Sequence, residues 1–301
     1  YEVAKKKNFN PQKLKSAEEL KEKIDLAKEN YRFVRVVERG SGEQARLRLF
    51  DDMEYHPSET EISAALKKML VTPVKVGAIT GHQERSTTKK GDQDYSLFAT
   101  HGRFRYSMIN QGFDLVELNL KDMNDIPSNI NILLIAEIRS SMSSKEQEII
   151  DRFLERGGNM MIMGDVGRQE VMNPLVERFG VQFMPGVLVQ PSRDFDPDLI
   201  RGELTKDAAE MSLNYADLQK KKRVITMPGA TALNYTMDKG FMVRPVLTTH
   251  DTGCWNEIET RDLLNEPVEL NPVAGEKEGV YPIALALSRK MGNREQRIIV
   301  L

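Results

Sequence analysis

The sequence predicts an α/β fold with a mostly parallel sheet flanked by helices, preceded by a small α+β unit. From residue 74 onward, short and strongly apolar strands alternate with helices. That order is typical of a parallel sheet whose crossover helices cover both faces. Before Thr72-Pro73 the pattern is different, with two helices and a hairpin. We therefore expect two domains, residues 1–72 and residues 73–301.

The first unit begins with a helix that is marked by its cap. Ser16 followed by Glu19 has the spacing of a capping box, which favours a helix start at this point. Residues 31–38 alternate between apolar and polar, Gly40-Ser41-Gly42 turns the chain, and residues 45–50 run back, as in a β-hairpin. A second helix follows and carries four apolar residues on one face: Ile62, Ala65, Leu66 and Met69.

The larger domain is predicted element by element from the same periodicities. Its first strands are expected at 74–80, 113–118, 130–136 and 159–163, with helices at 95–110 and 144–156. A helix is then expected at 173–179, an extended segment at 181–189, a surface loop at 190–204 and a second loop at 256–278. Five further strands are expected at 223–227, 232–235, 242–248, 283–288 and 297–301. Several of them are near enough in sequence to pair antiparallel, so we expect a mixed edge of the sheet.

Composition excludes several classes of protein. A formal charge of −2 over 301 residues does not favour a nucleic-acid partner, which usually meets a basic face. The single cysteine, Cys254, rules out an intrachain disulfide framework and a multi-cysteine zinc site. No apolar run reaches the roughly 18 to 20 residues that span a bilayer. Because the chain starts at Tyr1 without a methionine and stops inside an apolar strand pattern, we expect it to be an excised soluble region of a longer protein, with room for membrane segments outside it.

Candidate ligand-binding residues follow the predicted parallel strands. Open α/β sheets bind ligands beyond the carboxyl ends of their strands. His82 and Glu84 follow the first strand, Arg139 the third and Asp165 the fourth, so we expect them at one rim of the sheet. For His82 and Glu84 a structural turn is the simpler interpretation. Recognition of a ligand, acid–base chemistry and a metal role with Asp165 are the alternatives.

Two further residues have both a simple and a functional interpretation. Arg139 is either solvated or in contact with an anion. Trp255, the only tryptophan, is either a packing anchor with a satisfied indole N–H or a surface that stacks on a sugar or a partner protein.

The pattern does not favour nucleophilic catalysis or nucleotide binding. A nucleophile needs a sharp strand-to-helix turn, and the turn after 159–163 reads Met163-Gly164-Asp165-Val166-Gly167, with no hydroxyl or thiol. Cys254 lies outside such a pattern, and we expect it to be buried and structural. There is no phosphate-binding loop, and Gly40-Ser41-Gly42 lies in a hairpin. The sequence therefore predicts no catalytic residue, no metal site and no cofactor.

Several short motifs occur in an order that resembles a known family. They are Ala78-Ile79-Thr80-Gly81-His82-x-Glu84, Ile126-Pro127, Ser143-x-x-Glu146, Phe153-Leu154-x-x-Gly157-Gly158-Asn159-Met160, Gly164-Asp165, Tyr55-x-Pro57-x-Glu59-x-Glu61-Ile62, Pro282–Leu287 and Gln296–Val300. The order resembles the GldG-like auxiliary components of gliding-motility ABC transport systems, from about residue 30 to the end of the chain. Gln83 departs from that family, in which glycine is usual at this position.

The resemblance implies a fold similar to the class I glutamine amidotransferases (flavodoxin-like), without their catalytic cysteine. It also implies an extracytoplasmic region on the periplasmic face of the bacterial inner membrane, flanked by transmembrane helices. Its partners would be an ABC-2 type permease and an ATPase. The family has no defined catalytic residues to transfer to this sequence.

Three functions are consistent with these observations. The first is a non-enzymatic accessory domain that binds a partner protein or an envelope glycan. The second is an amidotransferase- or hydrolase-like enzyme that uses His82, Glu84 and Asp165. The third is an assembly domain whose rim binds nothing. The missing nucleophile favours the first and the third.

Overall fold

The computed structural model describes residue 10 and residues 13–29, 31–91, 94–260 and 262–301. The α-helices are α1 (Ala17–Lys23), α2 (Glu59–Leu70), α3 (Ser96–Ala99), α4 (Ser144–Glu155), α5 (Gln169–Val176), α6 (Lys206–Met211) and α7 (Leu213–Lys220). The strands are β1 (Val34–Glu38), β2 (Gln44–Arg48), β3 (Val74–Thr80), β4 (Phe113–Asn119), β5 (Ile132–Ala136), β6 (Asn159–Met163), β7 (Val181–Phe183), β8 (Val187–Val189), β9 (Leu199–Leu204), β10 (Val224–Pro228), β11 (Leu233–Tyr235), β12 (Met242–Thr248), β13 (Trp255–Glu257), β14 (Pro282–Met291) and β15 (Arg294–Val300).

The main sheet has nine strands within the described residues, in the order β10-β9-β12-β14-β15-β6-β5-β3-β4. β3 pairs parallel with β5, β5 with β6, and β6 with β15. From β15 to β10 the pairing is antiparallel. The predicted α/β fold, a mixed sheet with helices around its parallel part, is confirmed. Four of the five strands predicted for the antiparallel edge lie in this part, together with β9, whereas β11, at the predicted 232–235, pairs with β7 outside the main sheet.

The core of the sheet is formed by the residue types that predicted its strands. Leu133, Ile135 and Ile162 are completely buried in β5 and β6, which are covered on both faces. Helix α4 contributes Ile149 and Phe153 to the same cluster, as its helical spacing predicted. Burying a side chain of this size contributes about 1.5–3 kcal/mol, so the central strands are held firmly at the positions from which the rim loops leave.

The chain groups into two compact units, residues 1–73 with 96–113 and residues 74–95 with 114–301. In the first unit β1 and β2 form the predicted hairpin, and a small apolar cluster joins Ala45 of β2 to Ala65 and Met69 of α2. The predicted domain boundary at residue 72 stays a prediction.

Three local predictions were wrong. The helix expected at 95–110 is α-helical only at Ser96–Ala99, because the buried Asn110 side chain donates to the carbonyls of Gly102 and Phe104 and holds this segment in turns. In the loop expected at 190–204, Leu199–Leu204 form a strand, with Ile200 buried. Ile62 and Leu66 of α2 are exposed, 41% and 45%, because Glu61 and not Ile62 is buried on the inner face of the helix.

Candidate functional site

The carboxyl ends of β3, β5 and β6 meet at one rim, as predicted. The backbone N–H of Arg85, in the loop after β3, donates to the carbonyl of Ala136 at 3.0 Å. The N–H of Glu137, directly after β5, donates to the carbonyl of Met163 at 2.9 Å. These bonds tie the loops that carry His82, Glu84, Arg139 and Asp165 to neighbouring strand ends.

His82 lies beneath this rim and is 1% exposed. Its Nε2 is 2.8 Å from Oε1 of Glu146, which is 2% exposed, and its Nδ1 is 3.4 Å from the Ser140 hydroxyl. Burial raises the pKa of Glu146, but hydrogen bonds from Ser143 and His82 outweigh burial and leave that pKa below its ordinary value. The ionised Glu146 therefore accepts from the imidazole, and His82 anchors the turn after β3 to the first turn of α4. Ligand recognition by His82 stays a prediction.

Glu84 closes its own turn. Its carboxylate accepts from the backbone N–H groups of Gly81 at 3.2 Å and His82 at 2.7 Å. Gly81 has φ +101°, a conformation that side chains rarely adopt, and a Cβ there would lie 3.0 Å from Oδ1 of Asn119. The two carboxylate oxygens are thus already engaged in holding this turn.

Glu137 is the centre of a charged cluster at the rim. Its carboxylate accepts from the Arg85 guanidinium and from the Tyr95 hydroxyl. Arg85 Nη2 also lies 3.7 Å from Oδ2 of Asp165. Because the Tyr95 N–H donates to the Ser86 carbonyl at 2.8 Å, Arg85 and Tyr95 form the base of one loop. Glu137 holds both sides of that base.

The backbone of Glu137 has φ +52°, which is unusual for a residue with a side chain. Such strain is concentrated at functional positions. Glu137 was not among the predicted residues, because a nucleophile was expected as a hydroxyl or thiol in the turn after β6. The available signal was an acid between Ala136 and Ile138, within an otherwise apolar run.

Burial, together with the nearby charge of Asp165, raises the pKa of Glu137 from an ordinary value of 4.5 to about 6, against the opposing hydrogen bond from Arg85. An acid whose pKa is raised by folding binds protons more tightly in the folded than in the unfolded state. The contribution of Glu137 to the free energy of unfolding is therefore fully present below pH 4.5 and is lost as the pH rises from 4.5 through about 6.

We expect Glu137→Gln to remove this pH dependence. Each unit of pKa corresponds to 1.36 kcal/mol. The free energy of unfolding of the wild type, measured relative to the variant, should fall by about 2 kcal/mol between pH 4 and pH 7. Urea denaturation of both proteins across this range measures the difference. Parallel stability curves would show that Glu137 does not titrate in this window.

Three of the predicted rim residues reach solvent, and they are Arg139, Asp165 and the half-buried Glu84. Arg139 is exposed, and Asp165 is 29% exposed at its side chain. The positive charge of Arg139 acts on Glu137 by lowering its pKa. The outer part of the rim therefore carries the Arg139 cation and the Asp165 carboxylate, whose Oδ1 accepts from the Val166 N–H at 2.9 Å.

Trp255 and Cys254 lie away from these strand ends. Trp255 belongs to β13, which pairs with β8, is 8% exposed and donates its indole N–H to Oε2 of Glu257 at 3.1 Å. Ligand recognition by Trp255 stays a prediction. Cys254 is completely buried, and burial raises the pKa of its thiol, which keeps it in the unreactive protonated form.

The chemistry available to the rim follows from these partners. Both oxygens of Glu137 are bonded, and its donors, Arg85 and Tyr95, hold it in place. Across the described ranges, no group of three or more histidine, cysteine or acidic side chains is arranged to hold a metal ion.

Of the helices in those ranges, none has the length and apolar character needed to cross a membrane.

Comparison with known proteins identifies one family model that matches. It is described as an ABC-type uncharacterized transport system and matches residues 73–300. No curated protein matches the sequence significantly.

The solved structures that match this chain are distant from it in sequence. The mmIFT52 N-terminal domain is 15% identical, with 75% of this chain and 85% of that chain covered and a TM-score of 0.49. A putative ThuA-like protein from Bacteroides uniformis is 14% identical, with 77% and 82% covered and a TM-score of 0.41. A glutamine amidotransferase from Thermotoga maritima is 8% identical, with 60% and 68% covered and a TM-score of 0.32.

Proposed function

The chain belongs to the ABC-type uncharacterized transport system family, and from this membership we propose that it is a non-enzymatic binding component of an ABC transporter. In this proposal its partners are the permease and ATPase subunits. The domain works on the extracytoplasmic, periplasmic side of the bacterial inner membrane, in a system of the gliding-motility type. Helices outside this chain attach it to the membrane.

The observation that supports binding over turnover is that the carboxylates of Glu84 and Glu137 already accept hydrogen bonds from the protein itself. Glu84 is engaged by its own turn, and Glu137 is held by Arg85 and Tyr95. A general base needs to be within hydrogen-bond reach of the proton that it removes, and these oxygens face protein donors. We therefore assign the outer groups, Arg139 and Asp165, to contact a permease loop or an envelope ligand.

We expect the double variant Arg139→Ala/Asp165→Asn to bind the permease more weakly. Removing two charged contacts at the centre of an interface should lower recovery of the permease by about tenfold. The measurement is affinity capture of the full-length protein from detergent-solubilised membranes, with the permease and the ATPase quantified. Arg193→Ala, in an exposed loop, is the control. Equal recovery with both variants would place the interface elsewhere.

One observation favours a second candidate, an enzyme with acid–base chemistry at the rim. Glu137 combines a left-handed backbone conformation with a pKa raised to about 6, a combination that occurs at active sites. This candidate requires turnover of an added substrate that disappears in Glu137→Gln. The binding component that we propose shows none, and the same variant leaves its partner capture intact.

A further inference from the structure

A second polar site lies at the opposite end of the sheet from the rim. A cleft of about 610 Å³ opens at the amino ends of β5, β6 and β15. Its polar lining consists mainly of hydrogen-bond donors: Ser128, Asn131, Arg156, Asn159, Arg294 and Arg297. The size is within the range of small-molecule sites, which is about 300–1,000 Å³.

The two asparagine amides are fixed by the strands beside them. Oδ1 of Asn131 accepts from the backbone N–H of Lys75 at 2.8 Å, and Oδ1 of Asn159 accepts from the backbone N–H of Arg297 at 2.8 Å. A backbone N–H can pair only with an acceptor, so these bonds determine which end of each amide is oxygen. Both Nδ2 groups are then left as donors, and neither has a hydrogen-bond partner among the described residues.

The charges around the cleft do not cancel. Arg156 pairs with Asp125 at 3.0 Å, and Arg297 pairs with Glu295 at 2.6 Å. Arg294 is exposed and has no ion pair within the part of the chain that the structure describes. Three guanidinium groups therefore face two carboxylates, and the local field favours an anion.

We propose that this cleft binds a phosphate group, carried either by a soluble molecule or by a membrane lipid. Guanidinium forks and amide N–H groups are the donors that bind phosphate oxygens in a directional way. A phosphate with three terminal oxygens can use more of these donors at once than a carboxylate with two. The volume beyond the donors leaves room for the organic part of the ligand. The site is independent of the proposed role of the rim, from which it is separated by the length of the strands.

Asn159→Asp tests the proposal with little structural change. The aspartate keeps an oxygen for the Arg297 N–H, but it replaces the amide donor by a negative oxygen that repels phosphate. Arg294→Gln removes the unpaired guanidinium from an exposed position and carries the test if the aspartate variant does not fold. Arg193→Gln, which makes the same charge change in an exposed loop outside the cleft, is the matched control.

Titration calorimetry with inorganic phosphate, at constant ionic strength, should show saturable binding to the wild type. Both cleft variants should weaken it by at least about tenfold, the usual effect of losing a charge-assisted hydrogen bond. Arg193→Gln should stay within about twofold of the wild type, as a distant surface charge does. Acetate should bind more weakly than phosphate.

Sedimentation with lipid vesicles separates the two sources of phosphate. Binding to vesicles that contain phosphatidic acid, whose phosphate keeps three terminal oxygens, but not to phosphatidylcholine vesicles, whose phosphodiester keeps two, identifies a lipid headgroup if Asn159→Asp abolishes it. Phosphate binding without vesicle binding identifies a soluble ligand. The proposal is overturned if neither probe binds, if acetate binds as tightly as phosphate, or if Arg193→Gln weakens binding as much as the cleft variants do.

Discussion

Replacing Arg105 by methionine is expected to lower the free energy of unfolding by about 3–5 kcal/mol, the range for removing one partner of a buried ion pair. The Arg105 side chain is 5% exposed and lies over the ring of Phe50 at 4.5 Å. It donates to Glu61, also 5% exposed, at 2.7 Å and to Asp52 at 2.7 Å. Methionine fills the space of the aliphatic chain but leaves the Glu61 carboxylate buried without its cation.

Arg103→Met is the matched control, because Arg103 pairs with Asp51 at the surface, where the two side chains are 33% and 49% exposed. Surface pairs contribute about 0–1 kcal/mol. Denaturant unfolding of both variants measures the contrast. A loss below about 1 kcal/mol for Arg105→Met would mean that Glu61 is neutral or hydrated in the folded protein.

His82→Ala should lower the free energy of unfolding by about 3 kcal/mol. The substitution leaves the buried Glu146 carboxylate without the imidazole donor and opens a space beneath the turn after β3. Because Glu146 also closes the capping box of α4, accepting from the Ser143 N–H at 2.8 Å, the loss should affect the start of that helix.

His82→Gln is the control for this prediction, since its amide donates in the place of Nε2. We expect it to recover a substantial part of the stability lost in His82→Ala, while partner capture by the folded protein is unchanged in both. If alanine abolishes capture but leaves stability intact, His82 contacts the partner and does not serve as an anchor.

The sequence predicted those parts of the fold in which local pattern and burial agree. Asn159–Met163 and Met242–Thr248 have the bounds that the sequence indicated. For Asn159–Met163 the reason is that a parallel strand between two neighbours needs a continuous apolar sequence. Residues 95–110 carry helical periodicity, yet a buried polar side chain, Asn110, takes the backbone carbonyls that a helix would use. That is a tertiary interaction, and periodicity does not reveal it.

The sequence predicted where the rim lies, at the carboxyl ends of the parallel strands, but it predicted only some of the residues that form it. Parallel topology brings His82, Glu84, Arg139 and Asp165 to one rim, and this follows from strand order alone. Which of them face solvent depends on distant partners, such as Glu146 for His82, 64 residues along the chain. Glu137 was missed because its importance comes from its burial and backbone conformation, and these are properties of the folded chain.

Site-specific photo-crosslinking from position 139 tests most directly whether the rim is the recognition surface of a transporter component. A photoreactive residue replaces Arg139 in the full-length protein, and cells are irradiated with the transporter present. Position 193 serves as the control. We predict an adduct with the permease from position 139 and none from position 193. The absence of an adduct at position 139, or adducts of equal yield from both positions, would contradict the account.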